Sequence, residues 1–458
     1  MKLTRRTFVQ KSAAAAAGLS VLPLSGWTGR AAPSDTLRVG LIGCRNMGFG
    51  ILEHHLKNKD VVCTALCDVD ENVLNNKAAA VEKNFGQKPK LYRDFRKLLE
   101  QKDIDAVIIG TPDHWHCLQT VYALQAGKDV YVEKPMANSI EECNIMVRAA
   151  RRYNRIVQVG QQQRSGFVFN KAMELIKTGK IGKLRKVNIW ANFAYGVGPV
   201  IVPDEPVPAG VDYDMWLGPA PQRPFNRNRF HGTWRHFWDY GGGLMSDWGV
   251  HLLDMGLWAK DLVKAPEKVL VYAANTYSQP RARETFDTMT VSFPKDDFVI
   301  NFDLTAGIQR GPYDMLYGIA FIGDLGTIVT DRSKVVLYPE WDNEQKKFMG
   351  EEYSYTEGKE SHGEHVRNFI DCVKSRNQPA CPPEIGRAAA LHAHFPNIAA
   401  RSGENLLIWD DTTGRFTNSE KANALITSVP SKYPFRMKPA ADRYVASGSR
   451  RGGLLPWQ

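Results

Sequence analysis

Asp247 and His251 stand four residues apart in Leu244-Met245-Ser246-Asp247-Trp248-Gly249-Val250-His251-Leu252-Leu253-Asp254, an amphipathic run that reads as a helix. On a helix that spacing places both side chains on one face. A carboxylate beside an imidazole is acid-base equipment, because the ring exchanges a proton near neutral pH and the carboxylate can orient it. Gly241-Gly242-Gly243 just upstream releases the backbone before the helix begins. The same pair would also serve as a buried structural contact, so the decision falls to the rest of the chain. A third group of suitable chemistry is Lys134, in Glu133-Lys134-Pro135, directly after the strand-like Asp129-Val130-Tyr131-Val132. An amine at the carboxyl end of a buried strand is placed to meet a ligand.

The elements that must position these groups begin at Leu37. Leu37-Arg38-Val39-Gly40-Leu41-Ile42-Gly43 is an apolar run of strand length, and Cys44-Arg45-Asn46-Met47-Gly48-Phe49-Gly50 leads from it into a helix reaching Leu56. A tight turn feeding a helix N-terminus offers amide N–H groups and the positive end of the helix dipole to a phosphate. A second strand, residues 61–67, is closed by Asp68, where a carboxylate accepts the hydrogen bonds of an adenine-ribose diol. It would repel a ribose 2'-phosphate, which favours NAD over NADP. Arg45 stands where the glycine fingerprint places its second glycine, and it either points away or pairs with phosphate. Strands at 103–112 and 129–132, alternating with helices, complete a doubly wound parallel sheet.

Taken together, Gly43 to Gly48, the Thr-Pro-x-x-x-His of Thr111, Pro112 and His116, Glu133-Lys134-Pro135, and the Gly-Gly-Gly-x-x-x-Asp-x-x-x-His of 241–251 resemble the Gfo/Idh/MocA oxidoreductases. The likeness covers roughly residues 35–400. It implies a Rossmann-type sheet followed by an α+β domain with a large, mostly antiparallel open sheet. It implies Lys134, Asp247 and His251 as the catalytic group, with Thr111, Pro112 and His116 on the nicotinamide side. Asp113 stands where relatives usually carry Asn. The cofactor set expected is Gly43, Arg45, Asn46, Met47, Gly48, Asp68, Thr111, Pro112, His116, Glu133, Lys134 and Gln163.

In the second half, stretches 267–277, 285–293, 297–304 and 316–322 alternate in the manner of strands. Between residues 190 and 248 the chain is rich in Trp, Tyr and Phe, whose faces can stack on pyranose C–H groups. Trp234, Arg235 and His236, just before the glycines, are expected to touch a sugar, together with Arg164. An open sheet has an exposed face, so a homo-oligomer, dimer or tetramer, is expected. His365 on a later helix reads as structural.

The net charge of +10 resolves into two tails: residues 1–31 and 432–458 each carry +5, and the body between them is neutral. A neutral body lacks the footprint of a nucleic-acid binder. Thr4-Arg5-Arg6-Thr7-Phe8-Val9-Gln10-Lys11 and the short apolar run after it resemble a twin-arginine export signal, which implies passage through the twin-arginine translocase to the periplasm and no stable membrane anchor. The expected division is a signal at 1–32, an NAD-binding domain at 35–160, a substrate and oligomerisation domain at 161–435, and a tail at 436–458. Seven cysteines form no regular framework and no metal-ligand spacing.

The reading is an exported oxidoreductase that transfers hydride from a secondary hydroxyl of a sugar or glycoside, at C3 of a hexoside, to NAD. With little free NAD outside the cytoplasm, the cofactor is expected to be held tightly and regenerated in place. One alternative is a glycosidase that oxidises, eliminates and reduces within a cycle. That scheme resembles the NAD-dependent α-N-acetylgalactosaminidases of the same superfamily, whose pattern lacks the lysine retained here as Lys134. The other is a non-catalytic sugar or nucleotide sensor, which would need no proton relay.

Overall fold

A computed structural model describes residues 35–358 and 361–427. The signal expected at 1–32 and the tail expected at 436–458 lie outside the described residues. Strands β1 (Leu37–Ile42), β2 (Val61–Cys67), β3 (Lys90–Tyr92), β4 (Ala106–Ile109), β5 (Asp129–Val132) and β6 (Val157–Val159) pair in parallel in the order β3-β2-β1-β4-β5-β6. The central strands β4 and β5 are buried at every position, because helices cover both faces of the sheet. Helix α1 (Asn46–Leu56) follows β1, α2 (Asp113–Gln125) follows β4, and α3 (Ile140–Tyr153) lies between β5 and β6. Strand order reverses between β1 and β4, so the connections at their carboxyl ends part and leave a crevice there.

Helix α4 (Phe167–Lys177) leads into the second layer, a ten-stranded sheet. Its members are β7 (Leu184–Ala191), β8 (Lys268–Ala274), β9 (Thr288–Pro294), β10 (Val299–Thr305), β11 (Tyr317–Gly323), β12 (Gly326–Thr330) and β13 (Val335–Pro339). A small separate hairpin, β14 (Trp341–Asp342) with β15 (Lys347–Phe348), precedes the last three members, β16 (Tyr353–Tyr355), β17 (Leu406–Asp410) and β18 (Arg415–Phe416). The order is β16-β13-β12-β11-β7-β10-β9-β8-β17-β18, with β7 and β10 parallel and the other neighbours antiparallel. Period-two alternation puts Met289, Val291 and Phe293, and Ile300, Phe302 and Leu304, on the inner face. Helix α5 (Val250–Trp258) lies on that face, and Gly256 brings its backbone against Val187, Ile189 and Ile300. The outer face carries the exposed Leu270 and Tyr272.

Helix α6 (His362–Ser375) returns to the first layer. Its Val366, Phe369 and Ile370 join the core built by β1 and α1, and Arg376 donates to both oxygens of Asp129 at 2.7 and 3.0 Å. Helix α7 (Pro383–Ser402) packs on α3 and α5, tying the two layers together. All seven cysteines are buried and unpaired. Among the described residues no helix is long and apolar enough to cross a membrane, and no His, Cys, Asp and Glu cluster is arranged to hold a metal.

Four buried imidazoles peg these helices and strands to backbone carbonyls. His55 donates to Ile51 at 2.8 Å, His365 to Val159 at 3.0 Å, His392 to Ala388 at 2.8 Å and His394 to Ala137 at 2.9 Å. Burial pushes His392 down to about 3 and the other three to about 4. Unfolding lets each ring recover its ordinary affinity for a proton, so the unfolded chain binds more protons below pH 6.5. Stability is then full above that pH and is lost as pH falls towards 4, at about 1.4 kcal/mol per pH unit for each ring. Urea midpoints should hold from pH 7.5 to about 6.5 and fall from there to pH 5; a flat profile would show that the rings are not held neutral.

Candidate active site

The crevice at the carboxyl ends of β1, β4 and β5 continues into a cleft walled on its far side by the turn before α5. Lys134, just past β5, donates from Nζ to Asp247 Oδ1 at 2.7 Å and to the Asp247 carbonyl at 2.9 Å. Arg235 Nε lies 3.1 Å from the same Oδ1, and the Tyr195 hydroxyl donates to Oδ2 at 2.7 Å. Burial alone would raise the Asp247 carboxyl, but Lys134, Arg235 and Tyr195 overrule it and hold the group far below the usual carboxylate range. Asp247 is a fixed anion with both oxygens engaged.

His251 lines the same cleft, yet its Nδ1 is buried without a partner. Among the described residues Asp247 and His251 make no hydrogen bond to each other, and the carboxylate holds the lysine instead. Burial, then the charges of Lys134 and Arg332, push His251 well below its ordinary value, so the ring is neutral. The backbone here departs from the expected uniform helix: Met245–Gly249 is a single π-helical turn, and α5 starts at Val250. The glycine run is fastened below it. Gly243 has φ +65° and a Cβ there would strike Thr285, while Asn397 Nδ2 donates to Gly242 O at 2.9 Å.

The opposite end of the cleft fits a dinucleotide. Gly43, Arg45, Asn46, Met47 and Asp68 line it. A Cβ on Gly48 would sit 2.1 Å from Gly43 O, so only glycine lets α1 come this close to the end of β1. No side chain caps the N-terminus of α1, which leaves its first amides to a phosphate. Asp68 Oδ2 accepts from Cys44 N–H at 2.7 Å and Oδ1 from Asp70 N–H at 2.9 Å. Burial nonetheless pushes Asp68 up to about 6. Arg45 is extended, with φ −93° and ψ 154°, and its exposed side chain stands on the cleft wall near His231. A strap from the second half crosses beside this end. Gly210 O accepts from Glu71 N–H at 3.0 Å and Arg93 Nη2 at 3.1 Å, Asp212 N–H donates to Val69 O at 2.9 Å, and Trp216 O accepts from Trp115 Nε1 at 3.0 Å.

Comparison with known proteins agrees with this layout. Residues 37–161 match the family model described as oxidoreductase family, NAD-binding Rossmann fold, and residues 168–300 match its C-terminal alpha/beta domain. The chain belongs to the Gfo/Idh/MocA oxidoreductase family. A glycosyl hydrolase family 109 protein of Shewanella pealeana is 32% identical over 204 residues, covering 40% of this chain and 45% of that protein. The chain thus matches less than half the length of this curated relative. The WlbA dehydrogenase of Bordetella pertussis, solved with NADH and UDP-GlcNAcA, is 19% identical with a TM-score of 0.59, covering 82% of this chain and 99% of that one. An aldose-aldose oxidoreductase of Caulobacter crescentus, solved with glycerol, is 18% identical with a TM-score of 0.60, covering 82% and 100%. These two likenesses are of fold.

Within this Gfo/Idh/MocA frame several side chains point elsewhere than expected. Thr111, Pro112 and Glu133 line the cleft, and burial pushes Glu133 up to about 7. His116 does not line it: its ring is wedged between Pro135 O at 2.7 Å and Thr111 O at 2.8 Å, bracing the two loops that do. Gln163 is fully buried behind its neighbour Gln162, which does face the cleft. Arg164 is not a substrate contact, because Asp254 grips its guanidinium at 2.7 to 3.0 Å in a buried pair. His236 is buried away from the cleft, with its backbone carbonyl tied to Glu284 N–H at 2.8 Å. Trp234 packs in an aromatic cluster with Trp216, Phe230 and Tyr240 and shows one edge to the cleft, with Arg235 over its ring at 4.3 Å.

Two groups carry roles that sequence reasoning missed: Tyr195, which holds Asp247, and Arg332 on the cleft wall. Asp113, first residue of α2, is buried in the cleft wall, and burial pushes it well up despite Arg235 and Lys134. Arg332 sits in the turn Asp331-Arg332-Ser333-Lys334 between two β-branched runs. That pattern signals a hairpin and says nothing of where its tip points. Replacing Arg164 by Met should leave Asp254 buried and unpaired and lower the unfolding free energy by about 3–5 kcal/mol, without a change in KM. A raised KM at unaltered stability would return Arg164 to the substrate.

Proposed function

We propose that this protein oxidises a secondary hydroxyl of a sugar or glycoside, at C3 of a hexoside, by hydride transfer to NAD. The observation that carries this is the convergence of Lys134, Asp247 and His251, from distant stretches, on the end of the cleft opposite the glycine turn. His251, neutral and buried at the cleft, takes the hydroxyl proton as general base. Lys134, pinned by Asp247, stabilises the developing alkoxide. Asp247 positions Lys134 rather than the imidazole. Tyr195 and Arg235 hold Asp247 in turn. Arg45 and the first amides of α1 receive the pyrophosphate, and Asp68 the adenine ribose. Bound NAD supplies the hydride acceptor.

The strap over Val69, Glu71 and Arg93 supports a cofactor that is retained and regenerated in place, as export through the twin-arginine pathway to the periplasm would require. The exposed Leu270 and Tyr272 on the outer face of the large sheet support association of copies into a dimer or tetramer. A second reading, favoured by the match to glycosyl hydrolase family 109 proteins, is cleavage of a glycoside. In that cycle oxidation at C3 acidifies the C2 proton, elimination releases the aglycone, water adds at C1, and reduction of C3 returns the electrons. The retained Lys134 supports the first reading.

His251→Ala and Lys134→Ala should each lower turnover by about 10²- to 10⁴-fold while the dinucleotide remains bound, as read by native mass spectrometry. Parental turnover in both variants would end the assignment. Because His251 is held well below 6.5, the acid limb of kcat/KM should lie below that pH. Assaying a glycoside panel for keto product and for released aglycone separates oxidation from cleavage.

A further inference from the structure

Arg332 is a half-buried cation on the cleft wall that no carboxylate among the described residues pairs with. It stands at the tip of the β12–β13 hairpin, lines the cleft, and lies over the face of Trp248 at 4.4 Å from the ring centre. Its Nε is buried with no partner, and among the described residues it makes no ion pair. Its neighbour Asp331 is already spent on the turn, accepting from Ser333 N–H at 2.7 Å and Lys334 N–H at 3.0 Å. Two guanidinium groups with almost no exposed surface are, by contrast, matched: Arg164 by Asp254 and Arg283 by Asp287.

Asp247 and Glu133 act on Arg332, and its own charge helps to depress His251, so it belongs to the reaction end and not to the phosphate end. That end holds Lys134, Arg235 and Arg332 against one fixed anion, Asp247. Glu133, pushed up to about 7, and Asp113, which burial pushes well above the usual carboxylate range, are poor counter-charges. Burying a cation without an anion is costly, and a planar guanidinium matches a carboxylate with two parallel hydrogen bonds. A neutral sugar would leave that donor fork unmatched, whereas a sugar bearing a carboxylate would complete it.

We infer that the substrate is an acidic sugar, a hexuronic acid or uronoside whose carboxylate is held by Arg332 while a ring hydroxyl faces His251 and Lys134. This rests on the oxidoreductase reading of the cleft and adds the charge of the substrate to it. The test uses purified protein with its retained dinucleotide and two matched sets of methyl glycosides: those of glucuronic and galacturonic acid, and those of glucose and galactose. Calorimetry reads binding and absorbance at 340 nm reads reduction. Uronosides should bind about 10- to 100-fold more tightly than their neutral counterparts. Arg332→Gln should erase that ratio, and Arg332→Lys should restore part of it. Because an unpaired buried charge is removed, the melting temperature of Arg332→Gln should not fall. Equal binding of acidic and neutral glycosides, or an unaltered ratio in Arg332→Gln, would overturn the inference. If no sugar of either set changes the 340 nm absorbance, the oxidoreductase reading fails, and the binding ratio still decides the charge of the ligand.

Discussion

One buried carboxylate holds this cleft in shape. Asp247 draws Lys134 from the end of a parallel strand, Arg235 from the segment before the glycine run and the Tyr195 hydroxyl from the segment after β7 onto two oxygens. Attraction between opposite charges in a desolvated place is strong only if geometry is tight and every polar atom is engaged, and both oxygens here are. The ion cluster therefore sets the spacing between the parallel sheet and the turn that carries His251. Without it the lysine would have no anchor and the imidazole no fixed neighbour.

Charge is distributed along the cleft in a way that separates its two tasks. The end proposed for the phosphates offers backbone amides and the open N-terminus of a helix, with an exposed cation, Arg45, at the wall. The reaction end relies on immobilised charges. Asp68 ties the glycine turn to the end of the neighbouring strand through Cys44 and Asp70, so the carboxylate proposed to meet a ribose also supports the glycine loop.

Much of this was legible before any coordinates. Apolar runs of strand length ending in Gly or Asp, and alternating with helices, announced the parallel sheet, since strands buried on both faces cannot alternate. Four strands of the large sheet were visible through their period-two pattern, but β12, β13, β16 and β17 are short and interrupted by Gly, Pro or turn residues, and were not seen. Lys134, Asp247 and His251, which the structure brings to one cleft and to which catalysis is proposed, were identifiable by type and spacing. Side-chain direction was not: His116, Arg164 and His236 have the right chemistry and the wrong neighbours. Asp254, which claims Arg164, is 90 positions away. Arg332 escaped notice for the same reason, because the partnership of a hairpin tip with Trp248 is written in the tertiary fold alone.

The π-helical turn at Met245–Gly249 has a bearing on the pair it carries. Such a turn holds more residues than a regular α-helical winding, so positions four apart no longer point the same way. Asp247 and His251 thus keep their spacing along the chain and part in space, the one towards Lys134 and the other towards the open cleft.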